Sequence, residues 1–565
     1  MMLGPVFHRE LAIAPRRSRL YVSRSVLVVL FLLLIATAWL ILSGSQHVRD
    51  LGDMARFGGT LFTILAPLQL VLAMFFSAIF AAGNVSQEKD RNTLVLLLMT
   101  RMNNAELVLG KLAAAMVHLL SCFLAVAPVF FAMPVFGGVD YPQVLQCLLV
   151  TFSAILLCAT LGTFLAFRQE QTFQAVSMTV LFLVVWLAVC EFFALDTFSP
   201  WRAMTRVTQS AEGGIGFPCF AFVASAVLCG WATLRVRVWN TVETERVPSE
   251  KKVEKTPAVE KERHREVWNN PVLWREIRTR AYGRRAFLVR LAYALIFFAA
   301  GFAIHQALGK MELTFYQENT DAALFALRMF LPLALLSLFL VNAQAVTAIT
   351  GERDIRALDL LRVTDLSPKE ILCGKLGGIF WNTREMVVLP MLFIGYLYGR
   401  GLVSLEIAAY LFGGLGVLLV FAAMLGIHSG MAYAASRSAI GVSLGTLFFL
   451  FVGVAVCLRM MLSLGGSFQA QIQPFLAFMV GGGVAMYLAL GARNPSSAMA
   501  LASFGCPFAT FYAMTALLMN YTLGVFLVVV VTYGFTTAAM LIPAISEFDV
   551  ASSDDGTPRE GSGGS

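Results

Sequence analysis

Apolar runs of membrane-spanning length recur through this chain almost without pause. In the first half they lie near 25–43, 58–82, 112–133, 144–167, 175–195 and 217–234. In the second they lie near 286–305, 323–347, 376–398, 404–427, 439–463 and 519–543. A helix of about 20 apolar residues crosses the hydrocarbon core of a bilayer. Backbone in lipid must satisfy its own hydrogen bonds, so each run reads as a helix. Pro67, Pro128 and Pro332 fall inside runs, which membrane helices tolerate. With 58% hydrophobic and 13% charged residues, the chain departs from soluble proteins, which are about 25% charged. A soluble enzyme, a secreted disulfide scaffold and a disordered chain are all excluded. The expected fold is an all-α polytopic membrane protein of two tandem six-helix transmembrane repeats.

Two further apolar stretches, 473–490 and 498–516, precede the last run. They read either as another pair of spans or as a re-entrant hairpin, which Gly481-Gly482-Gly483 and Pro507 favour at least equally. The nine cysteines lie mostly in apolar runs without a CxxC pair, and the six histidines do not cluster. The cysteines read as packing residues, and no metal site is suggested. The net charge of +8 reads as Lys and Arg retained on the cytoplasmic side rather than as a nucleic-acid site.

Charge sets the expected orientation. Arg9, Arg16, Arg17, Arg19 and Arg24 precede the first run; Lys89, Arg91, Arg101 and Lys111 follow the second; Arg353, Arg356, Arg362, Lys369 and Lys375 take the matching place later. The loops 134–143 and 306–321 hold few basic residues. Both termini and the loops after spans two and eight are therefore expected in the cytoplasm of a multi-pass inner-membrane protein. No cleavable signal peptide is read at the N-terminus. Residues 243–266 carry seven acidic and seven basic residues and have little to bury. The domain reading is 1–240 as the first unit, 241–266 as a charged cytoplasmic linker, 267–548 as the second unit and 549–565 as a disordered tail ending in an appended Gly/Ser linker. Six spans being even, the second unit re-enters with the orientation of the first, a parallel repeat about an axis along the membrane normal.

The repeat is legible residue by residue. Pro5, Val6, Arg9, Glu10, Arg19 and Arg24 align without a gap on Pro271, Val272, Arg275, Glu276, Arg285 and Arg290. This segment reads as an interfacial helix whose arginines reach lipid phosphates, or as a plain positive flank. A second block aligns Glu88, Asp90, Leu94, Leu96, Leu97, Thr100, Glu106, Gly110, Lys111 and Leu112 on Glu352, Asp354, Leu358, Leu360, Leu361, Thr364, Glu370, Gly374, Lys375 and Leu376. Its apolar run Leu94–Met99 is far too short to cross a bilayer. Asn103 with Glu106, and Ser367 with Glu370, have capping-box spacing, and Pro368 suits the first turn. Helix, short helix, turn and helix then form a firm protruding knob in each half, suited to mechanical coupling; a well-capped connecting loop is the plainer alternative.

This block resembles the cytoplasmic segment between the second and third helices of ABC transporter permeases of the ABC-2 exporter type. Glu352, Arg353, Leu358, Leu360, Leu361, Pro368, Glu370, Ile371, Gly374 and Lys375 fit the family pattern, as do Glu88, Lys89, Thr93, Leu94, Leu96, Leu97, Glu106, Leu107, Gly110 and Lys111. Asn104 replaces the proline in the first copy, and Ala357 the threonine in the second. Family members are commonly single six-helix units that dimerise; here one chain looks like the pair. The resemblance implies ATP-driven movement of a substrate outward or between leaflets, with the knobs docking on an ATPase. The ATPase-coupling residues carried over are Glu88, Lys89, Asp90, Arg91, Thr100, Glu106, Lys111, Glu352, Arg353, Asp354, Thr364, Pro368, Glu370 and Lys375. No Walker A run occurs, so the chain carries no ATPase or other catalytic site. ATP and Mg would be held by two copies of a partner P-loop ABC ATPase; the other expected contact is membrane lipid.

Polar residues inside spans are costly and therefore candidates for function. Arg384, Glu385, Glu191 and His118 are the intramembrane ones singled out. Arg384 and Glu385 are read first as a tie to a neighbouring helix and second as lining a substrate path; Glu191 lies near an outer end. Gln69, Asn342, Gln344 and His428 either bond between helices or line a cavity. SPWRAM (199–204) and NPSSAM (494–499) are read as outer-side turns. A secondary transporter of the major facilitator kind shares the two six-helix halves, but its short loop after the second helix does not accommodate the capped block. A membrane sensor usually carries a sizeable soluble domain, and none is read here.

Overall fold

The computed structural model describes residues 4–13, 18–45, 51–91, 93–210, 214–240, 268–278, 286–311, 319–354, 357–362, 364, 366–464, 468–491, 495–519 and 521–553. Every regular element among them is helical. The first half comprises α1 (Gly4–Ile13), α2 (Ser18–Ser45), α3 (Leu51–Asp90), α4 (Thr93–Leu98), α5 (Asn104–Phe131), α6 (Met133–Phe136), α7 (Tyr141–Arg168), α8 (Thr172–Phe192), α9 (Pro200–Ser210) and α10 (Gly216–Trp239). The second comprises α11 (Pro271–Arg278), α12 (Ala286–Met311), α13 (Asn319–Asp354), α14 (Ala357–Arg362), α15 (Pro368–Asn382), α16 (Arg384–Gly399), α17 (Leu405–Ala432), α18 (Ser436–Phe448), a π-turn at Phe449–Gly453, α19 (Val454–Leu464), α20 (Phe468–Leu490), α21 (Ser497–Leu518) and α22 (Thr522–Ser553). Thirteen helical stretches among the described residues are long and apolar enough to cross a membrane. The chain is a multi-pass integral membrane protein. The linker at 241–266 lies outside the described residues, as do 554–565; residues 549–553, read as tail, continue α22.

The sequence reading needs correcting in two places, and one of two readings left open is favoured in a third. The run 376–398 is not one helix: it breaks at Thr383 into α15 and α16. There the Asn382 amide donates to the Gly378 carbonyl at 3.0 Å and the Thr383 hydroxyl to the Ile379 carbonyl at 2.8 Å. Side chains thus compete for carbonyls that the helix would use. The stretches 473–490 and 498–516 form full-length helices, α20 and α21, both within the thirteen. At one end of α20 Gln471 donates to the Met461 carbonyl near the end of α19. At the other, Leu490 lies on His428 and Ala489 on Tyr433, at the far end of α17. A helix reaching from one to the other traverses the bundle. Finally, SPWRAM opens helix α9, not a simple turn.

The core sits where α3 packs on α7 and, in the second half, where α13 packs on α17. These contacts need a small residue. A Cβ built on Gly162 of α7 would lie 2.8 Å from the Ala78 carbonyl oxygen, and one on Gly426 of α17 would lie 2.7 Å from that of Asn342. Helices in lipid gain from such close approach, because dispersion contacts replace the missing hydrophobic drive. Other matching pairs also pack in both halves: α1 on α5 and α11 on α15, α3 on α8 and α13 on α18, α7 on α10 and α17 on α22. The halves meet most extensively where α2 packs on α20, and also where α8 packs on α12 and α13 and α18 packs on α3. Phe75 of α3 and Phe339 of α13 touch there, ring centroids 5.4 Å apart, with Phe448 5.3 Å from Phe75.

Candidate functional site

Helix α3 is 40 residues long. At 1.5 Å per residue it extends about 60 Å, twice the thickness of a hydrocarbon core. Helix α3 is thus longer than a hydrocarbon core needs, and a turn follows it, as one follows α13. Each turn carries a short helix, α4 or α14, and then a capped return helix, α5 or α15. The Glu106 carboxylate accepts from the Asn103 N–H at 3.1 Å. Glu370 accepts from the Ser367 N–H at 3.0 Å, and its own N–H donates to the Ser367 hydroxyl at 3.3 Å. Both are the capping boxes that the spacing predicts. The Ser367 bonds hold the exposed Glu370 carboxyl below its ordinary range.

Most charges of the block face inward and frame the knobs. Lys111, with 1% of its side chain exposed, pairs with Glu88. Lys375, 2% exposed, pairs with Glu276 at 2.5 Å and Glu352 at 2.6 Å, and Arg275 also bonds Glu352. Lys89 donates to the Phe167 and Gln169 carbonyls at 2.5 and 2.7 Å, and Arg353 to the Gly430 carbonyl at 2.8 Å. Asp90 accepts from the Thr172 hydroxyl and Asp354 from the Ser436 hydroxyl, each at 2.5 Å. Thr172 and Ser436 were not singled out in the sequence, yet each lies 82 residues beyond its aspartate. That equal spacing is a signal an extended repeat alignment carries. Of the fourteen carried-over residues, Arg91, Thr100, Thr364 and Glu370 lie exposed, Lys111 and Lys375 are buried, and the other eight are half-buried. The bare tip of the first knob also includes Leu96 and Met99, 64% and 73% exposed.

The two knobs are anchored differently. In the first, Asn104 donates to the Thr233 carbonyl of α10 at 2.9 Å and accepts from Arg237 at 2.7 Å; Arg237 also reaches the Met102 carbonyl at 3.0 Å. The asparagine that replaces the family's proline thus pins the turn to α10. In the second, α11 lies on α15 as α1 lies on α5, but its polar side chains make the ties. Asn270 donates to the Glu370 carbonyl at 2.8 Å, and Glu276 comes so close that a Cβ on Gly378 would meet its Cβ at 2.6 Å. At the matching position the first half has Ala114. There Glu10 stays on the outside of α1, paired only with its neighbour Arg9 at 3.2 Å among the bonds described. Arg275 and Glu276 therefore turn toward the knob rather than toward lipid. Gly378→Ala is expected to push Glu276 off Lys375 and to lower stability by about 1–3 kcal/mol, read as an earlier thermal midpoint in detergent.

The polar residues singled out in spans divide by depth. Glu385 pairs with Arg384 at 3.1 Å and with Arg290 of α12 at 3.6 Å, and Arg384 lies over the Trp381 ring at 5.0 Å. Arg290 is in the second turn of α12, so this group sits near a helix end and ties α16 to α12. Glu191 accepts from Ser199 and Arg202, both at 3.2 Å, at the end of α8 remote from the knobs. It borders an apolar recess of about 260 Å³ lined by Leu70, Val71, Met74, Leu187 and Trp201. His118 lies beside Phe80, ring centroids 5.0 Å apart. Asn342 bonds between helices, donating to Ala422 and accepting from Ser443, both at 2.8 Å. Gln69 and Gln344 are fully buried with no hydrogen-bond partner for either side-chain polar atom among the described residues. Among those residues, no group of three or more His, Cys, Asp or Glu is placed to hold a metal ion.

The fold and the site define a polytopic helical membrane protein with two framed, protruding elements at one end of the bundle. Residues 53–207, from α3 into α9, match the family model described as ABC-2 family transporter protein. That match, with the many membrane-spanning helices, supports an ABC-2 type permease. No curated protein and no solved structure matches the chain.

Proposed function

We propose that this chain is the complete permease of an ATP-driven exporter of the inner membrane, with both termini and both knobs in the cytoplasm. The two halves act as two permease units, one after the other. Two copies of a separate P-loop ABC ATPase hold the ATP and Mg, and each docks on one knob. Closure of the ATPase pair would push the knobs, and the rigid α3 and α13 would carry that push to the seam at Phe75 and Phe339.

The observation that supports this reading best is the contrast within the first knob. Its frame is locked by a buried ion pair, while its tip is left bare. A connecting loop needs no buried frame, because isolated ion pairs taken out of water add little net stability. A lever needs one, since a soft element would absorb the displacement. Apolar side chains bared at such a tip suit a protein partner.

Leu96→Asp with Met99→Asp tests the docking directly. Both residues are exposed, so the thermal midpoint is expected to stay at the parental value. ATPase recovered with the purified chain is expected to fall about tenfold or more. Undiminished ATPase recovery with this variant would place the docking elsewhere.

A further inference from the structure

The seam between the halves is closed at two levels. Deep in the bundle stand Phe75, Phe339 and Phe448. At the knob end, Arg91 of the first half bonds Asp354 of the second through Nε at 3.2 Å and Nη2 at 3.0 Å. The other Asp354 oxygen accepts from Ser436, and beside it Arg437 donates to Asn84 across the seam at 3.3 Å. Asp90, matching Asp354, lies close enough for the two charges to interact. The residue matching Arg91 is Ile355. Lys89 and Arg353 hold carbonyls of their own halves.

We propose that Arg91 is a charge latch on the knob-side mouth of the transport path, and that the first knob draws it. The proposal rests on the transporter reading. Two carboxylates flank the seam and Arg91 bridges it. While Arg91 is in place the buried Asp354 carboxylate has a cation from the other half; once withdrawn, it leaves that carboxylate without its partner across the seam, which favours separation of the halves. Arg91 is half exposed while Asp354 is buried, so the arginine is the partner that can leave into water at low cost. It is also placed to be moved: it ends α3, and α4 begins at Thr93. Displacing the first knob displaces Arg91 directly, and displacing the second moves Asp354, which ends α13 just before α14.

The test is the accessibility of the seam just beneath the latch. Gly83 is buried, and a side chain there would meet the Cβ of Arg437 at 3.7 Å, an ordinary contact. Gly83→Cys in the full chain is exposed to a membrane-impermeant maleimide from the knob side in inverted vesicles. Labelling is expected to be slow with Arg91 present, about tenfold faster with Arg91→Ala, and near the slow rate with Arg91→Lys. The thermal midpoint of each variant verifies that it is folded. Labelling of Arg91→Ala at the parental rate would overturn the latch, and so would Arg91→Lys labelling as fast as Arg91→Ala. This readout needs no ATP. Failure of the transporter reading would show instead as a missing ATPase partner, with the labelling difference intact.

Discussion

Lys375→Met is expected to lower the stability of the protein by about 3 kcal/mol, because it leaves two acidic groups in a buried place without their shared cation. Glu276 has 1% of its side chain exposed and Glu352 14%, so water can do little to replace the lysine. Arg275 remains on both carboxylates and keeps the loss from growing larger. Glu276→Gln added to Lys375→Met is expected to restore part of the loss, since one buried charge goes with it. Lys111→Met is expected to cost less, because its single partner Glu88 keeps 20% of its side chain in water. Thermal unfolding followed with a thiol-reactive dye measures all three, the buried cysteines Cys147, Cys158, Cys457 and Cys506 being the reporters. Equal midpoints for Lys375→Met and Lys111→Met would contradict the assignment of the second knob as the more deeply framed one.

Gly426→Ala is expected to be the most damaging single methyl addition in the second half. Its Cβ would meet the Asn342 carbonyl oxygen at 2.7 Å, the Ala345 Cβ at 2.6 Å and the Val346 nitrogen at 3.0 Å. Two of these are backbone atoms of α13 and have no rotamer to escape into. Relief requires α13 and α17 to move apart along their crossing, at about 2–3 kcal/mol. Gly162→Ala repeats the experiment in the first half against Ala78, Ala81 and Ala82 of α3. Gly534→Ala is the control: no atom lies within 4 Å of its Cβ position, so no loss is expected. The same dye assay reads the ranking, and a harmless Gly426→Ala would contradict the close crossing.

These results bear on what a sequence can convey. The type of the elements and most of their positions were legible, because lipid permits few choices and long apolar runs announce them. The knobs were legible through their capping boxes, whose spacing is a local chemical rule. The break at Thr383 was not, since Asn382 and Thr383 look innocuous until their side chains are seen on carbonyls four residues back. The direction of the charges was not legible either. Lys111 and Lys375 read as polar residues of a protruding loop, and both are buried struts. Only the three-dimensional return of α1, α3 and α5, or of α11, α13 and α15, decides which charges face inward. The bond between Arg91 and Asp354 spans 263 residues, and no local pattern encodes it.

The central claim is that the two knobs each receive an ATPase. The most direct measurement is the native mass of the complex released from its own membrane in mild detergent. The account predicts one copy of this chain with two P-loop ATPase subunits, and loss of both when the two knob tips are altered together. A chain recovered without an ATPase, under conditions that keep other membrane complexes whole, would contradict it.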